Sequence, residues 1–214
     1  MDGAPPGSEP PSSLDAADWA RLIARVPTDL MLASVSLRMG PVLRQHFDAE
    51  DIWQETLIQA WRARGQFRSD GPVALRAWLL AIAENRIRNA IDGIRTQRRG
   101  GGKSPRRLRG TSSATNSAAG SSSPEPESWR TPSRDASDRE RAHAMLAALD
   151  ALSPELRDVV RLRLFDATST EETARVLGIG VSATKHRLRR GLESYVRILR
   201  LRLGDTALPV SWNP

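Results

Sequence analysis

Between Gly100 and Ser137 the chain is dominated by small, polar and helix-breaking residues: Gly100-Gly101-Gly102, the run Thr111 to Ser123, and Pro105, Pro124, Pro126 and Pro132. A stretch so poor in apolar side chains cannot bury enough surface to offset the entropy lost on ordering it. Any core must therefore come from the residues on either side. This reading gives one domain at about 14–99 and a second at about 138–203, joined by a flexible linker at 100–137. A linker of that length has an r.m.s. span of roughly 30–35 Å and an extended limit above about 100 Å. The Pro/Gly/Ser-rich head 1–13 (MDGAPPGSEPPSS) reads as disordered, and the tail 204–214 matches no pattern.

Both domains read as helical, so the fold class is all-α. Apolar residues recur at three- and four-residue steps, and few stretches alternate as half-buried strands do. In the first domain Ile52, Leu57, Ala60 and Trp61 form one stripe behind Asp48, an N-cap residue with Glu50 and Asp51 in the first turn. Trp78, Ile82, Ile87 and Ile91 form another, separated from the first by Ser69-Asp70-Gly71-Pro72. In the second domain Met145, Leu149 and Leu152 mark a helix that stops at Ser153-Pro154. Pro154 opens the next, with Ser153 as N-cap and Leu156, Val159, Val160 and Leu164 on its apolar side. A short helix over Thr168–Leu177, a turn at Gly178-Ile179-Gly180 and a long basic helix over Ser182–Leu203 complete it.

The chain lacks cysteine, which excludes a disulfide scaffold, a zinc finger, an iron–sulfur site and a thiol nucleophile. A cytosolic chain is the simple reading, because no apolar run approaches the roughly 18 residues of a membrane span and the start does not resemble a signal peptide. The net charge of +7 is unevenly placed. Residues 1–60 carry −5, 61–110 carry +10, 111–180 carry −3 and 181–203 carry +6. Two separate basic blocks suit a protein that touches a polyanion at two places, although solvated Arg-rich helix faces give the same count.

The segment Thr170 to Leu188 has helix-turn-helix spacing. Ala174 is small where two helices cross, Gly178 supplies the turn, Ile179 and Val181 pack it, and Leu188 anchors the second helix. Lys185, His186, Arg189 and Arg190 fall largely off the Val181–Leu188 face, where a major groove could receive them. The plainer alternative is a helical hairpin with a wet basic face. In the first domain Asp51, Gln54, Glu55 and Ile58 line up on one helical face, an acidic and partly apolar stripe that suits a basic protein partner or simply confers solubility. Phe67, Arg76, Trp78, Asn85, Arg86, Arg88 and Asn89 mix aromatic, amide and cationic groups of the kind that hold unpaired bases and phosphates. Phe67 and Trp78 could equally be core, and for Trp78 core is the better reading.

These segments together resemble the bacterial RNA polymerase sigma factors of the extracytoplasmic-function group. DAEDIWQETLIQAWR (48–62) is similar to the polymerase-binding part of that family's second conserved region. GQFRSD (65–70) and LRAWLLAIAENRIRNAIDGIRTQRR (75–99) are similar to the part that opens and reads the minus-ten element. ALDALSPELRDVVRLRLFDATSTEETARVLGIGVSATKHRLRRGLESYVRIL (148–199) resembles the fourth region, which reads the minus-thirty-five element. No recognisable first or third region is present, which points to the minimal group.

The resemblance implies core RNA polymerase and promoter DNA as partners, allows an anti-sigma factor, and implies no cofactor, no metal and no enzymatic activity. By it, Asp51, Gln54, Glu55 and Ile58 would contact polymerase. Phe67, Arg68, Ser69, Asp70 and Arg76 would hold a flipped base, with Asn85, Arg86 and Asn89 near the unpaired strand. Ser182, Lys185, His186 and Arg189 would face the upstream element, with Arg187 and Arg190 nearer phosphates. Thr184 stands where that family usually has an apolar residue, His186 where a small one is common, and Thr173 where Ile is usual. The rival readings are a helix-turn-helix regulator that never touches polymerase, a sequence-independent coating protein, and an enzyme. The first leaves the stripe at 48–62 unexplained. The last lacks a phosphate loop, and His46, His143 and His186 are isolated.

Overall fold

A computed structural model describes residues 15–68, 71–98 and 132–204. Among the described residues the regular structure is helical: α1 (Ala16–Ile23), α2 (Thr28–Arg38), α3 (Pro41–Arg44), α4 (Ala49–Ala63), α5 (Pro72–Arg98), α6 (Pro132–Asp150), α7 (Pro154–Val160), α8 (Thr170–Leu177) and α9 (Val181–Leu203). A 3₁₀ turn (Arg64–Gln66) follows α4, and a π-helical turn (Arg161–Phe165) continues α7. No described helix is long and apolar enough to cross a membrane.

Local chemistry accounts for most boundaries. The Asp48 N–H donates to Asp51 Oδ2 at 3.1 Å, a contact that fastens the start of α4. Asp15 caps α1 by accepting from the Asp18 N–H at 2.7 Å, and Ser169 caps α8 by accepting from Glu172 N–H at 3.1 Å. Pro72 and Pro154 open helices at positions whose N–H would be unsatisfied anyway. Gly178 ends α8 in the left-handed region at φ 65°, where a Cβ would be penalised.

α2 (TDLMLASVSLR) turns no side fully to solvent: Asp29, Leu30, Met31, Leu32, Ala33, Ser34 and Val35 are all buried. A helix buried on every side must be enclosed by other helices. α4, α5 and α6 all pack against it. Trp19 of α1 stacks edge-on against Trp61 (centroids 6.4 Å apart) and Trp78 (6.1 Å), and Phe67 lies 5.3 Å from Trp78. Trp78 therefore belongs to the core, as its sequence context suggested, and Phe67 joins it.

The main apolar core runs without interruption from Trp19, Leu30 and Leu79 through Met145 and Leu149 to Val159, Phe165 and Tyr195. The boundary read at residue 137 lies inside α6, which begins at Pro132. Composition underestimates α6 because Pro132-Ser133-Arg134-Asp135-Ala136-Ser137 is polar. The proline is nevertheless tolerated in a first helical turn, and the apolar face starts only later, at Ala142.

Candidate interfaces for nucleic acid and protein

The helix-turn-helix is built by α8, the Gly178–Gly180 turn and α9. Thr173 and Ala174 are buried where α8 meets its neighbours. Thr184, Leu188, Gly191, Tyr195 and Leu199 recur every three to four residues and turn inward. Gly191 is there because α7 lies against it: a Cβ at that position would stand 2.7 Å from Val160 Cγ2. Val181, expected to pack the turn, is 39% exposed, and Thr184 seals the start of α9 in its place.

Both polar residues at expected apolar positions are satisfied. Thr184 Oγ1 donates to the Gly180 carbonyl at 3.1 Å. Thr173 Oγ1 donates to the Ser169 carbonyl at 2.7 Å and lies 2.9 Å from Thr168 Oγ1. A buried hydroxyl with a partner forgoes the desolvation penalty that an orphan would carry.

The opposite face of α9 presents Ser182, Lys185, His186 and Arg189 to solvent in one stripe, with Arg190 exposed and Arg187 half-buried beside it. This is a protruding basic surface, carried on a helix whose other side is locked into the core. Such a surface can enter a major groove, the Lys and Arg heads being long enough to reach base edges or phosphates.

The first half presents a more divided picture. On α4, Asp51 and Ile58 are exposed and Gln54 is half-buried, so these three remain at the surface. Glu55 is turned inward: its carboxylate pairs with Arg86 of α5, with side chains 13% and 25% exposed. The stripe at 48–62 is thus split, one edge open and one edge holding α4 to α5. An i, i+4 pattern cannot distinguish these roles, because α5 is remote in sequence.

Among the residues expected near unpaired DNA, Arg68, Asn85 and Asn89 are exposed. Asn85 Oδ1 accepts from Arg88 Nη2 at 2.5 Å. Ser69 and Asp70 lie outside the described residues. Arg86 is occupied by Glu55. Arg76 is drawn away from solvent, and its Nη2 donates to the Leu164 carbonyl of the π-helical turn at 2.7 Å. Burial, and then the nearby Arg163, lower the Arg76 pKa from its ordinary value. The expected minus-ten set is therefore only partly on one open surface.

Sequence reading did not single out the polar pairs that join the two halves. Arg38 Nη2 donates to Asp166 Oδ1 at 2.6 Å and Arg38 Nη1 to the Phe165 carbonyl at 3.3 Å. Arg141 Nε stands 3.3 Å from Asp29 Oδ2, and Arg139 pairs with Glu50. Asp29 is buried, and burial raises its carboxyl pKa against the lowering effects of the Leu30 N–H and Arg141. Arg38 and Asp29 close an otherwise apolar helix, and that placement was their only sequence signal. A cleft of about 450 Å³ lies beside the Arg139–Glu50 pair, lined by Ser36, Met39 and Phe47 from one half and by Arg139, His143 and Leu146 from the other. Among the described residues no cluster of His, Cys, Asp or Glu could hold a metal ion.

Comparison with known proteins gives a consistent pattern. Residues 30–100 match the family described as Sigma-70 region 2, and residues 142–194 match Sigma-70 region 4. The chain is 35% identical over 155 residues to the ECF RNA polymerase sigma factor SigG of Mycobacterium tuberculosis, covering 67% of this chain and 40% of that protein. It is 30% identical over 163 residues to the RNA polymerase sigma factor CarQ of Myxococcus xanthus, covering 76% of this chain and 79% of the relative. The chain thus spans about two fifths of the SigG length and most of CarQ. Solved structures with similarity include CnrH in complex with the cytosolic domain of CnrY (22% identity, TM-score 0.35, 87% of this chain and 90% of that one). Another is the sigma factor RpoE in complex with the anti-sigma factor NepR from Bartonella quintana (20% identity, TM-score 0.35, 87% and 99%).

Proposed function

This chain belongs to the extracytoplasmic-function RNA polymerase sigma factors, and on that premise we propose that it binds core polymerase, recognises minus-ten and minus-thirty-five promoter elements and helps to open the DNA. The observation that carries the reading is the outward stripe Ser182, Lys185, His186 and Arg189 on α9, held rigid by the buried Thr184–Leu188–Gly191 side. It coexists in one chain with the exposed Asp51–Ile58 edge of α4, which a DNA-only regulator does not need. The upstream element is read by α9, with Arg187 and Arg190 on phosphates. Core polymerase docks on Asp51, Gln54 and Ile58. Asn85, Asn89 and Arg68 meet the unpaired non-template strand.

The role is one of binding. The polymerase supplies the chemistry, and this chain supplies location and strand separation. The work takes place in the cytoplasm, with the polymerase, and an anti-sigma factor is a further partner of this reading.

The test is transcription with purified core polymerase on duplex and pre-melted bubble templates, using promoters selected from a genomic library. Asn85→Ala is expected to leave closed-complex binding nearly intact and to suppress permanganate reactivity of promoter thymines. The bubble should restore much of its run-off product, since extruding and unpairing bases costs a few kcal/mol that the bubble removes. A wild-type protein that neither binds core nor opens any promoter would leave a duplex-binding helix-turn-helix regulator.

A further inference from the structure

The recognition helix carries a side chain that upstream-element reading by its polar stripe leaves unused. Val181 is the first residue of α9, and 39% of it is exposed. The fold does not need an apolar group there, because Thr184 seals this end of the helix. Gly180, which precedes it, holds an ordinary extended conformation (φ −68°, ψ 153°). A Cβ at Gly180 would meet nothing within 4 Å, so nothing from another element lies over it. Among the described residues the other large exposed apolar side chains are Val42, Ile58, Val73, Val176 and Leu201, and none of them stands in the first turns of α9.

Helical period sets where Val181 stands about the axis. At about 100° per residue it lies about 40° from Lys185 and about 80° from Arg189, at the edge of the outward stripe. Along the axis it is about 6 Å from Lys185, the height of about one or two base pairs of B-form duplex. A helix-turn-helix presents the N-terminal residues of its second helix to base edges. Ser182, Lys185, His186 and Arg189 meet such edges through hydrogen bonds, whereas Val181 offers a branched apolar group and no hydrogen bond.

In the major groove the base edges carry donors, acceptors and a single apolar group, the C5-methyl of thymine. An isopropyl group pressed onto a donor or acceptor leaves that polar group without water or partner, which is costly. Pressed onto a methyl, it removes apolar surface from water on both sides. We infer that Val181 is a specificity-determining residue for the upstream element: its isopropyl group packs on the C5-methyl of one thymine, within two base pairs of the pair that Lys185 meets. This rests on the sigma reading above. The contact is modest, since burying one methyl changes affinity about fourfold.

The experiment uses the full chain in holoenzyme with core polymerase. Duplexes randomised over the upstream element are selected by binding to wild type and to Val181→Ala, whose thermal melt should match the parent because the side chain seals nothing. Wild type is expected to enrich thymine at one position, on either strand. Val181→Ala should lose that preference and keep those at the other positions, and Val181→Ile, which retains a branched apolar group, should keep it. Each thymine of the selected element is then replaced singly by deoxyuridine, which removes the methyl and leaves the pairing edge intact. Wild type should lose about fourfold in affinity at that one position. Val181→Ala should lose a similar factor on the thymine duplex and nothing further on the deoxyuridine duplex, where the two proteins should bind alike.

Lys185→Ala supplies the contrast. It should weaken binding to both duplexes and keep their ratio, because the methyl contact belongs to Val181. A selected element in which no thymine responds to Val181→Ala overturns the inference and leaves the sigma reading standing. So does a deoxyuridine effect that Val181→Ala retains in full, or one that Lys185→Ala abolishes, since either places the methyl against another group. Wild-type holoenzyme that selects no upstream sequence at all overturns the sigma reading, and this inference with it.

Discussion

Glu55 of α4 and Arg86 of α5 hold each other in an ion pair that is mostly shielded from solvent. One was expected at a polymerase surface and the other near unpaired DNA. Their pairing makes them a structural tie between the two helices that carry those surfaces.

Removing one partner leaves the other charge poorly solvated, which is costly even when the intact pair adds little net stability. Glu55→Ala should destabilise the protein by about 1–3 kcal/mol, less than for a fully buried pair because both side chains keep some exposure. Urea unfolding of Glu55→Ala, Arg86→Ala and the double variant gives the coupling. A double variant as damaged as the sum of both singles would mean the pair is not coupled.

Gly191 lets α9 lie close against α7. Gly191→Ala should cost about 1–3 kcal/mol through overpacking, although alanine is the better helix former. Combining it with Val160→Ala removes the Cγ2 atom that the new methyl meets, and should recover part of the loss. Thermal melts of the three variants test this, and no recovery in the double would place the clash elsewhere.

Asp29 should give the protein an unusual pH dependence. Burial raises its pKa in the fold, so the folded state holds the Asp29 proton more firmly than the unfolded chain does. Its contribution is complete below the unfolded value of about 3.9 and is lost as pH rises through the raised folded value. Glu171, lowered by its own N–H and by Ser169, and Glu172, lowered by Arg175, run the other way and lose their contribution as pH falls. Asp29→Asn should therefore flatten the decline in urea midpoint as pH rises above the unfolded carboxyl range. Parallel curves for variant and parent would remove the assignment.

On the outward side of α9, proposed to meet DNA, Arg189 and Arg190 are both exposed but point differently around the helix. Arg189→Ala should relax preference at one base pair of the upstream element and cost about 1–3 kcal/mol there. Arg190→Ala should weaken all sequences alike and flatten the salt dependence of binding. Holoenzyme binding to a randomised promoter library separates the two patterns. Uniform losses for both would make each a phosphate contact.

Helical periodicity, capping residues and turn glycines were sufficient to read α4, α5, α7, α8 and α9 and the inward and outward sides of the recognition helix. Each depends on residues within a turn or two of one another, as with Asp48 and Asp51 or Thr184 and Gly180. α2 left a weaker trace, because a helix buried on every side has no polar face to give it a period. Val181 shows the limit of period alone: it shares a face with Leu188, but it opens its helix where no neighbouring helix covers it.

The amino-acid order by itself determined that this chain makes helices, where most of them begin and end, and which two segments carry the side chains proposed for promoter-reading chemistry. Only the tertiary structure decided which charged residues remain available for that chemistry. Arg76 and Lys185 look alike in sequence, yet one is bound to a carbonyl 88 residues away and the other stands in solvent. The physical reason is that periodicity records the orientation of a side chain about its own helix axis. Whether a guanidinium meets water, a carboxylate or a backbone oxygen depends on a second helix, whose position is set by the apolar surface that α2, α6 and α9 bury together.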